Sequence, residues 1–256
     1  PIADAAHARG MRVSGHVPAF MSAAQFIAAG ADEMQHLNFI VLNFLFDTVQ
    51  DTRNRTRFTA VAEHVAGLQP NEPRVAAFVA AMKKRDVVLD PTVNIFEGMF
   101  SGQPDAIAPG FAQIAPRLPA ALRRGLRTGA LPVPPAQKSA YAQAFPAMLK
   151  LLKTLHDAGV TLLPGTDTLA GYGLQRELEL WAQAGIPPAE VLRAATLTSA
   201  RVSGADYDRG TIAPGKRADL VLVNGDPIQD IDAIRAVDLV LKSGRVIEPA
   251  KIEAAL

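Results

Sequence analysis

The chain repeats one local pattern, in which an amphipathic helix ends at a glycine and a short apolar strand follows at once. The predicted strands lie at residues 11–17, 31–36, 87–93 and 160–166, and Gly10, Gly30 and Gly159 end three of the preceding helices. Such alternation predicts an α/β fold with a parallel sheet and helical crossovers, either a barrel or a doubly wound sheet. Neither GxGxxG nor GxxxxGK[ST] follows any of these strands, which argues against a dinucleotide or P-loop site.

Two long connections interrupt this alternation, at residues 39–70 and at residues 97–145. Long connections in compact domains are usually functional, and in a parallel barrel they would lie over the carboxyl ends of the strands. We therefore predict a domain at residues 1–205 with two active-site loops. Residues 206–256 form a different, β-rich segment, because TIAPGKRADLVLVNGDP predicts a strand, a turn and a buried strand, and LVLKSGRVI predicts a hairpin.

Composition excludes several classes of protein. The 26 Lys and Arg residues balance 25 Asp and Glu residues to a net charge of +1, so we expect no nucleic-acid partner. Cysteine is absent from the sequence, which excludes disulfides, thiolate metal sites and cysteine nucleophiles. The most apolar stretch, residues 39–46, is far shorter than the roughly 20 residues that cross a bilayer, so we expect a soluble chain without a membrane span.

Side chains that bind metals stand at the carboxyl ends of three predicted strands. They are His16 in VSGHVP, His36 in DEMQHL and Asp167 in LLPGTDT. Ligands bind at this edge of parallel α/β sheets. Two imidazoles and a carboxylate supply the three protein ligands of a catalytic zinc-type site, which keeps a position for water. Such an ion lowers the pKa of water to about 7 and thereby provides a nucleophile.

Simpler interpretations stay open for these residues. Each strand-end histidine, taken alone, could be a hydrogen-bonded packing residue, and Asp167 could cap the following helix. The other histidines, His7, His64 and His156, lie on predicted helices and are interpreted as surface or packing residues.

Longer motifs point to a family. VSGHVP, AAGADEMQH and LLPGTDT are followed by ELELWAQAGIPPAEVLRAATLTSARVSG, GTIAPGKRADLVLVNGDP and VLKSGRVI. Together these segments resemble the carboxyl-terminal half of a metal-dependent amidohydrolase of the imidazolonepropionase and prolidase-like branch. The resemblance covers most of the chain outside the two long connections. It implies a (β/α)8 TIM-type barrel of which strands five to eight lie here, plus the last strands of a small β-sandwich.

The resemblance also implies a role for each candidate residue. His16 would be the metal ligand of the fifth strand and His36 that of the sixth, while Asp167 would be the ligand of the eighth strand. Asp167 would also take a proton from water and pass it to the leaving nitrogen. The family's HxH motif and carboxylated Lys have no counterpart here, and Gln175 stands where many relatives carry His. Because the chain opens inside a predicted helix, we expect residues upstream of Pro1 to carry the other ligands.

These features predict a metal-dependent hydrolase of carbon–nitrogen bonds in a small amide, cyclic amide or dipeptide-like substrate. The expected cofactor is a divalent ion, with zinc as the first candidate and one or two ions in the complete protein. Two alternatives remain: an inactive binding or scaffold protein on the same fold, or a lactonase or phosphoesterase of the same superfamily. The sequence leaves open a cytoplasmic or exported location and a monomer or homo-oligomer.

Overall fold

The structure is a computed structural model that describes residues 1–103, 105–127, 130–168 and 171–253. It divides into two compact units, residues 1–177 and residues 178–256. The α-helices are α1 (Ile2–His7), α2 (Ala23–Ala28), α3 (Asn38–Asn43), α4 (Thr56–His64), α5 (Pro73–Lys84), α6 (Val93–Ser101), α7 (Ala120–Gly125), α8 (Lys138–Asp157), α9 (Leu174–Gln183), α10 (Pro188–Arg193), α11 (Ser199–Val202) and α12 (Pro249–Glu253). Within the described ranges, no helix is long and apolar enough to cross a membrane.

A parallel sheet forms the centre of the first unit. Its strands β1 (Ser14–Gly15), β2 (Glu33–Gln35) and β3 (Val88–Asp90) pair in the order β1-β2-β3, and both pairings are parallel. A parallel bridge between Leu89 and Leu162 adds a further segment beside β3. Helices α2 and α5 lie between successive strands in the sequence, so the predicted α/β alternation with a parallel sheet is confirmed.

The helices begin and end where their sequences specify. Ser22 and Gln25 form a reciprocal capping box at the start of α2, in which each side chain accepts a hydrogen bond from the other residue's backbone N–H. Gly10, Gly30 and Gly159 have φ angles of +67°, +99° and +78°, in the left-handed region that glycine adopts without strain. The helices end at these glycines, and the chain then continues into the following strand. After Gly159 it continues into the segment that forms the bridge at Leu162.

Apolar side chains bury both the sheet and the helices that cross it. Met34 of β2 and Leu89 of β3 have no exposed surface, and neither do Met82 of α5 or Leu152 of α8. Full burial of such a side chain stabilises the fold by roughly 1.5–3 kcal/mol. Because these residues support the strands from which the candidate side chains project, the core holds the strand ends in place.

All four predicted strands are shorter than expected, and β1 and β2 keep only residues 14–15 of 11–17 and residues 33–35 of 31–36. The third ends at Asp90 and not at Val93, because Pro91 lacks the N–H that a ladder needs. The predicted strand at residues 160–166 is reduced to the bridge at Leu162. Pro164 interrupts this segment in the same way.

The two long connections contain helices, and their role as active-site loops stays a prediction. Residues 39–70 hold most of α3 and all of α4, while residues 97–145 include the end of α6, all of α7 and the start of α8. Helix α8 passes through Pro146, which usually breaks a helix. Its buried side chains, which include Tyr141, Phe145 and Met148, pack toward α4 and α6 and outweigh that penalty.

The second unit contains an antiparallel sheet of β4 (Leu220–Val223), β5 (Val237–Lys242) and β6 (Arg245–Ile247), in that order. Ser243 and Gly244 connect β5 to β6 with φ angles of +50° and +79°, which are the signs of a type I′ turn, so the predicted hairpin is confirmed.

Strand β4 differs from its prediction as a buried strand. Val221 is 60% exposed and Leu222 is 54% exposed, because no other element of the described chain in this unit covers their side chains. The division of the first from the second compact unit falls at residue 177, whereas the predicted domain boundary lies at residue 205. The assignment of residues 206–256 to a β-sandwich stays a prediction.

Candidate active site

The three candidate ligands lie together at the carboxyl ends of the parallel strands. His16 follows β1 directly, His36 follows β2 directly, and Asp167 lies five residues beyond the Leu162 bridge. The Nε2 atoms of His16 and His36 are 2.7 Å apart, and Nε2 of His36 is 3.7 Å from Oδ2 of Asp167. Residues separated by 151 positions in the sequence therefore meet at one edge of the sheet.

This group combines one buried side chain with two exposed ones. His36 is 9% exposed, whereas the side chain of Asp167 is 63% exposed and His16 also faces solvent. The buried ring of Phe39 packs beside both imidazoles, with ring centroids 5.8 Å from His16 and 6.4 Å from His36. The site is thus an open surface group with a buried imidazole and a phenyl ring as its base.

Burial keeps His36 neutral. Desolvation, together with the neighbouring His16, lowers the pKa of His36 to about 4, although the carboxylate of Asp167 acts in the opposite direction. At neutral pH His36 therefore has one N–H and one nitrogen with a free lone pair. Its Nδ1 lies 2.7 Å from Oγ1 of Thr92, a residue that is 1% exposed.

Asp90 is a polar residue of the site that the sequence analysis missed. It ends β3, beside the end of β2, and its Oδ1 accepts the N–H of Gly165 at 3.0 Å. Burial, with the charges of Glu33 and Asp167, raises the pKa of Asp90 to about 7. A Cβ atom at Gly165 would overlap this carboxylate, so a larger residue there would have to displace the Asp90 side chain or the local backbone. The signal that could have revealed Asp90 is Pro91, since a proline directly after an aspartate ends a central strand.

Two further residues support the site from the side of α6. Glu177 has no exposed surface, and its carboxylate accepts the N–H groups of Val93 at 3.0 Å and Asn94 at 2.8 Å. The neighbouring Arg176 donates from Nε to Oε2 of Glu97 at 2.9 Å. The contacts of Glu177 fix the first turn of α6, which begins directly after Thr92, and the contact of Arg176 lies in the following turn.

Three non-glycine residues of this region have a left-handed backbone. The φ angles are +71° for His36, +46° for Thr92 and +44° for Asp167. Such a conformation is uncommon outside glycine and costs on the order of 1–3 kcal/mol, most for a β-branched residue such as threonine. It persists only where the surrounding structure determines it, and such residues concentrate at functional sites.

The three side chains carry donor atoms of the types that a divalent metal ion binds, and the distances between them can be compared with those of a metal site. Two nitrogens bound at about 2.0–2.1 Å to one tetrahedral ion lie roughly 3.3 Å apart, and the distances of 2.7 Å and 3.7 Å stand on either side of that value. Among the described residues, no three His, Asp or Glu side chains are already arranged as a metal site.

The simpler interpretations can also be compared with the structure. The next helix described after Asp167 is α9, which begins seven residues later at Leu174, so Asp167 does not cap it. His7 hydrogen-bonds Asp32 at 2.9 Å on the surface, as expected for a surface residue. His156 lies in the last turn of α8, and its Nδ1 is 3.1 Å from Oδ1 of Asp157.

Comparison with known proteins assigns a family to part of the chain. Residues 146–247, which include Asp167, match the amidohydrolase family. This part of the chain is an amidohydrolase family domain. An adenine deaminase of Brucella abortus (strain 2308) is 43% identical to this chain over 70 residues, 27% of this chain and 11% of that protein. An imidazolonepropionase of Geobacillus kaustophilus is 32% identical over 103 residues, 37% of this chain and 24% of that protein.

Solved structures show the same fold over nearly the whole chain. The bottromycin amidohydrolase AH superposes with a TM-score of 0.66 at 19% identity and covers 99% of this chain and 53% of its own. A prolidase complexed with N-methylphosphonate-L-proline superposes with a TM-score of 0.59 at 20% identity, over 96% of this chain and 47% of its own. The chain thus spans about half the length of these structures, and its matches cover less than a quarter of each curated relative.

Proposed function

We propose that this amidohydrolase chain carries the metal-binding and proton-transfer residues of a hydrolase that cleaves a carbon–nitrogen bond. The substrate class is a small amide, a cyclic amide or a dipeptide-like molecule. One observation carries the proposal: His16, His36 and Asp167 converge on the carboxyl edge of a parallel sheet with separations of 2.7 Å and 3.7 Å. Two facing imidazoles lie beside a carboxylate, and the backbone of His36 and Asp167 is strained. A scaffold protein without catalytic activity would not require this arrangement.

The relatives support the choice of bond. Adenine deaminase, imidazolonepropionase and prolidase are names of enzymes that hydrolyse carbon–nitrogen bonds. Because their matches cover only part of each protein, the shared feature that we carry over is the class of bond and not an individual substrate.

The fold supports a finer assignment in the same proposal. The parallel order β1-β2-β3, continued by Leu162, is that of four successive segments of a barrel wall. We assign them to strands five to eight of a (β/α)8 barrel, and residues 206–256 to the end of a β-sandwich. In this assignment the site lies at the carboxyl-terminal face, where active sites of such barrels form.

His16, His36 and Asp167 would hold a divalent ion, with zinc as the first candidate. When bound, the ion would polarise the substrate carbonyl and lower the pKa of water. Nε2 of His36 is directed at His16 and Asp167, and its burial keeps it uncharged and able to donate a lone pair.

Asp167 is the residue that would move the proton. Its side chain is 63% exposed and is accessible to both water and substrate. The carboxylate would take one proton from the attacking water as a general base, so that the oxygen forms its bond to the carbonyl carbon. It would then give that proton to the departing nitrogen as the carbon–nitrogen bond breaks, which restores the carboxylate.

The test is hydrolysis of a panel of N-acyl amino acids, dipeptides, cyclic amides, lactones and phosphoesters by the zinc-loaded protein. The Asp167→Asn variant should lose at least a hundredfold in kcat, because proton transfer contributes roughly 10²–10⁴-fold. The His64→Ala variant, which changes an exposed histidine at the end of α4, should retain wild-type rates. Unchanged kcat in Asp167→Asn, or hydrolysis confined to lactones or phosphoesters in the panel, would contradict the proposal.

A further inference from the structure

We propose that Thr92 is a positioning residue that fixes the tautomer of His36. In this arrangement Nδ1–H of His36 donates to the Thr92 hydroxyl, and Nε2 keeps its lone pair toward His16 and Asp167. The inference rests on the proposed function, because the free Nε2 is the atom that would bind the metal ion.

The contact between the two side chains is short and shielded from water. Nδ1 of His36 and Oγ1 of Thr92 are 2.7 Å apart, and the two residues are 9% and 1% exposed. A neutral imidazole has one N–H, and the partner of one ring nitrogen determines which nitrogen carries it. Because water is excluded from Nδ1, the Thr92 hydroxyl is the partner that determines which nitrogen of His36 carries the proton.

The position of Thr92 at the start of α6 makes its contact unusual. Thr92 is the residue directly before α6, where a threonine side chain ordinarily accepts a backbone N–H of the first turn. Within the described chain its side chain makes no such capping bond. The carboxylate of Glu177 instead accepts the N–H groups of Val93 and Asn94. A residue 85 positions away thus performs the capping, which leaves the hydroxyl of Thr92 for His36.

The backbone of Thr92 supports the same interpretation. Its φ of +46° places a β-branched residue in the left-handed region, where the side chain is crowded against its own backbone. Glycine or asparagine would adopt this conformation with less strain, but glycine has no hydroxyl. The strained conformation is therefore associated with a side chain whose oxygen contacts the buried imidazole.

The facing histidines are consistent with this tautomer. A separation of 2.7 Å between two ring nitrogens requires one donor and one acceptor. If Nε2 of His36 is the acceptor, His16 donates to it, and a small rotation of the exposed His16 ring would make room for an ion between the two rings. If Thr92 donated to Nδ1 instead, Nε2 of His36 would carry the proton and could not bind a metal ion.

The first test reads the tautomer directly, by ring ¹⁵N chemical shifts of His36 in the metal-free protein, with assignment from the His36→Ala spectrum. The wild type and Thr92→Ser should carry the proton on Nδ1. Thr92→Val keeps the shape and β-branching but removes the hydroxyl, so it should populate the Nε2–H form. A wild type protonated on Nε2, or Thr92→Val with a wild-type tautomer, would overturn the inference. Should Thr92→Val unfold, Thr92→Ala, which also removes the hydroxyl, takes its place with the same expected and contradicting outcomes.

The second test measures zinc affinity by competition with a chromophoric chelator. Thr92→Val should bind zinc 10- to 100-fold more weakly, as is typical when the partner of a metal-binding histidine is removed, and Thr92→Ser should stay close to the wild type. Equal zinc affinity in Thr92→Val and the wild type would contradict the positioning role. If the wild type binds no zinc, the proposed metal site fails, while the tautomer measurement still judges Thr92 independently.

Discussion

The Nε2 atoms of His16 and His36 face each other at 2.7 Å, although the two residues belong to different turns at the ends of two neighbouring strands. The parallel register pairs Gly15 with Met34, which sets both strand ends at the same level of the sheet. An exposed imidazole and a buried one are thereby held in direct contact. This pair is the structural basis for the proposed metal site.

We predict that Glu177→Gln destabilises the first unit by about 1–3 kcal/mol, because an amide offers one acceptor to the two N–H groups of Val93 and Asn94 and leaves a buried donor unpaired. Urea unfolding followed by circular dichroism measures the change. Glu248→Gln, at an exposed glutamate paired with Lys251, is the matched control and should shift the unfolding free energy by less than about 0.5 kcal/mol. Equal effects of the two variants would show that the Glu177 cap is unimportant.

We predict that Gly165→Ala is among the most damaging small substitutions in the chain. Its Cβ would overlap the carboxylate of Asp90, and relief of the overlap must move Asp90 or the backbone of residues 164–166. Overpacking of this kind costs roughly 1–3 kcal/mol, occasionally more. Gly67→Ala, where no atom lies within 4 Å of the new Cβ, is the control, and thermal unfolding of the two variants should separate them clearly.

The ion pair between Asp32 and His7 leads to a prediction about pH. Burial acts to raise the pKa of Asp32, but the N–H of Val13 at 2.7 Å and Nε2 of His7 at 2.9 Å outweigh burial, so the pKa is lowered in the folded chain. A carboxyl group with a lowered folded pKa stabilises the fold above its unfolded pKa of about 3.9 and loses that effect as the pH falls through the folded value.

The measurement is the difference in unfolding free energy between the wild type and Asp32→Asn from pH 6 to pH 2. The wild-type advantage should be constant above about pH 5 and should shrink below about pH 4, where Asp32 becomes protonated. Asp4→Asn, at an exposed aspartate near the N-terminus, should show a much smaller dependence. An advantage that grows on acidification would show that the sign is wrong.

The sequence was sufficient to predict the parallel α/β arrangement and the position of two histidines at the edge of the sheet. Helices that end at Gly10 and Gly30 set the start of each strand, and a short apolar run leaves the polar residue after it at the sheet edge. The positions of His16 and His36 at the sheet edge follow from this local sequence pattern. The family resemblance placed Asp167 at the same edge, and the structure brings its carboxylate within 3.7 Å of His36.

The supporting residues could not be predicted in this way, because their roles depend on distant contacts. Glu177 acts on N–H groups more than 80 positions earlier, and Thr92 contacts His36 across 56 positions. Asp90 was hidden inside a strand predicted to run to Val93, since apolar residues continue on both sides of it. The left-handed backbone of Thr92 is equally invisible to sequence patterns, because threonine ordinarily avoids it.

The most direct test of the central claim is zinc binding by the purified protein, measured by isothermal titration and by competition with a chromophoric chelator. The wild type should bind zinc, His16→Ala, His36→Ala and Asp167→Asn should each weaken binding at least tenfold, and His64→Ala should bind as the wild type does. Circular dichroism of the metal-free variants should confirm that the fold is retained. A wild type without zinc affinity, or full zinc affinity in His36→Ala, would contradict the assignment of these residues to one metal site.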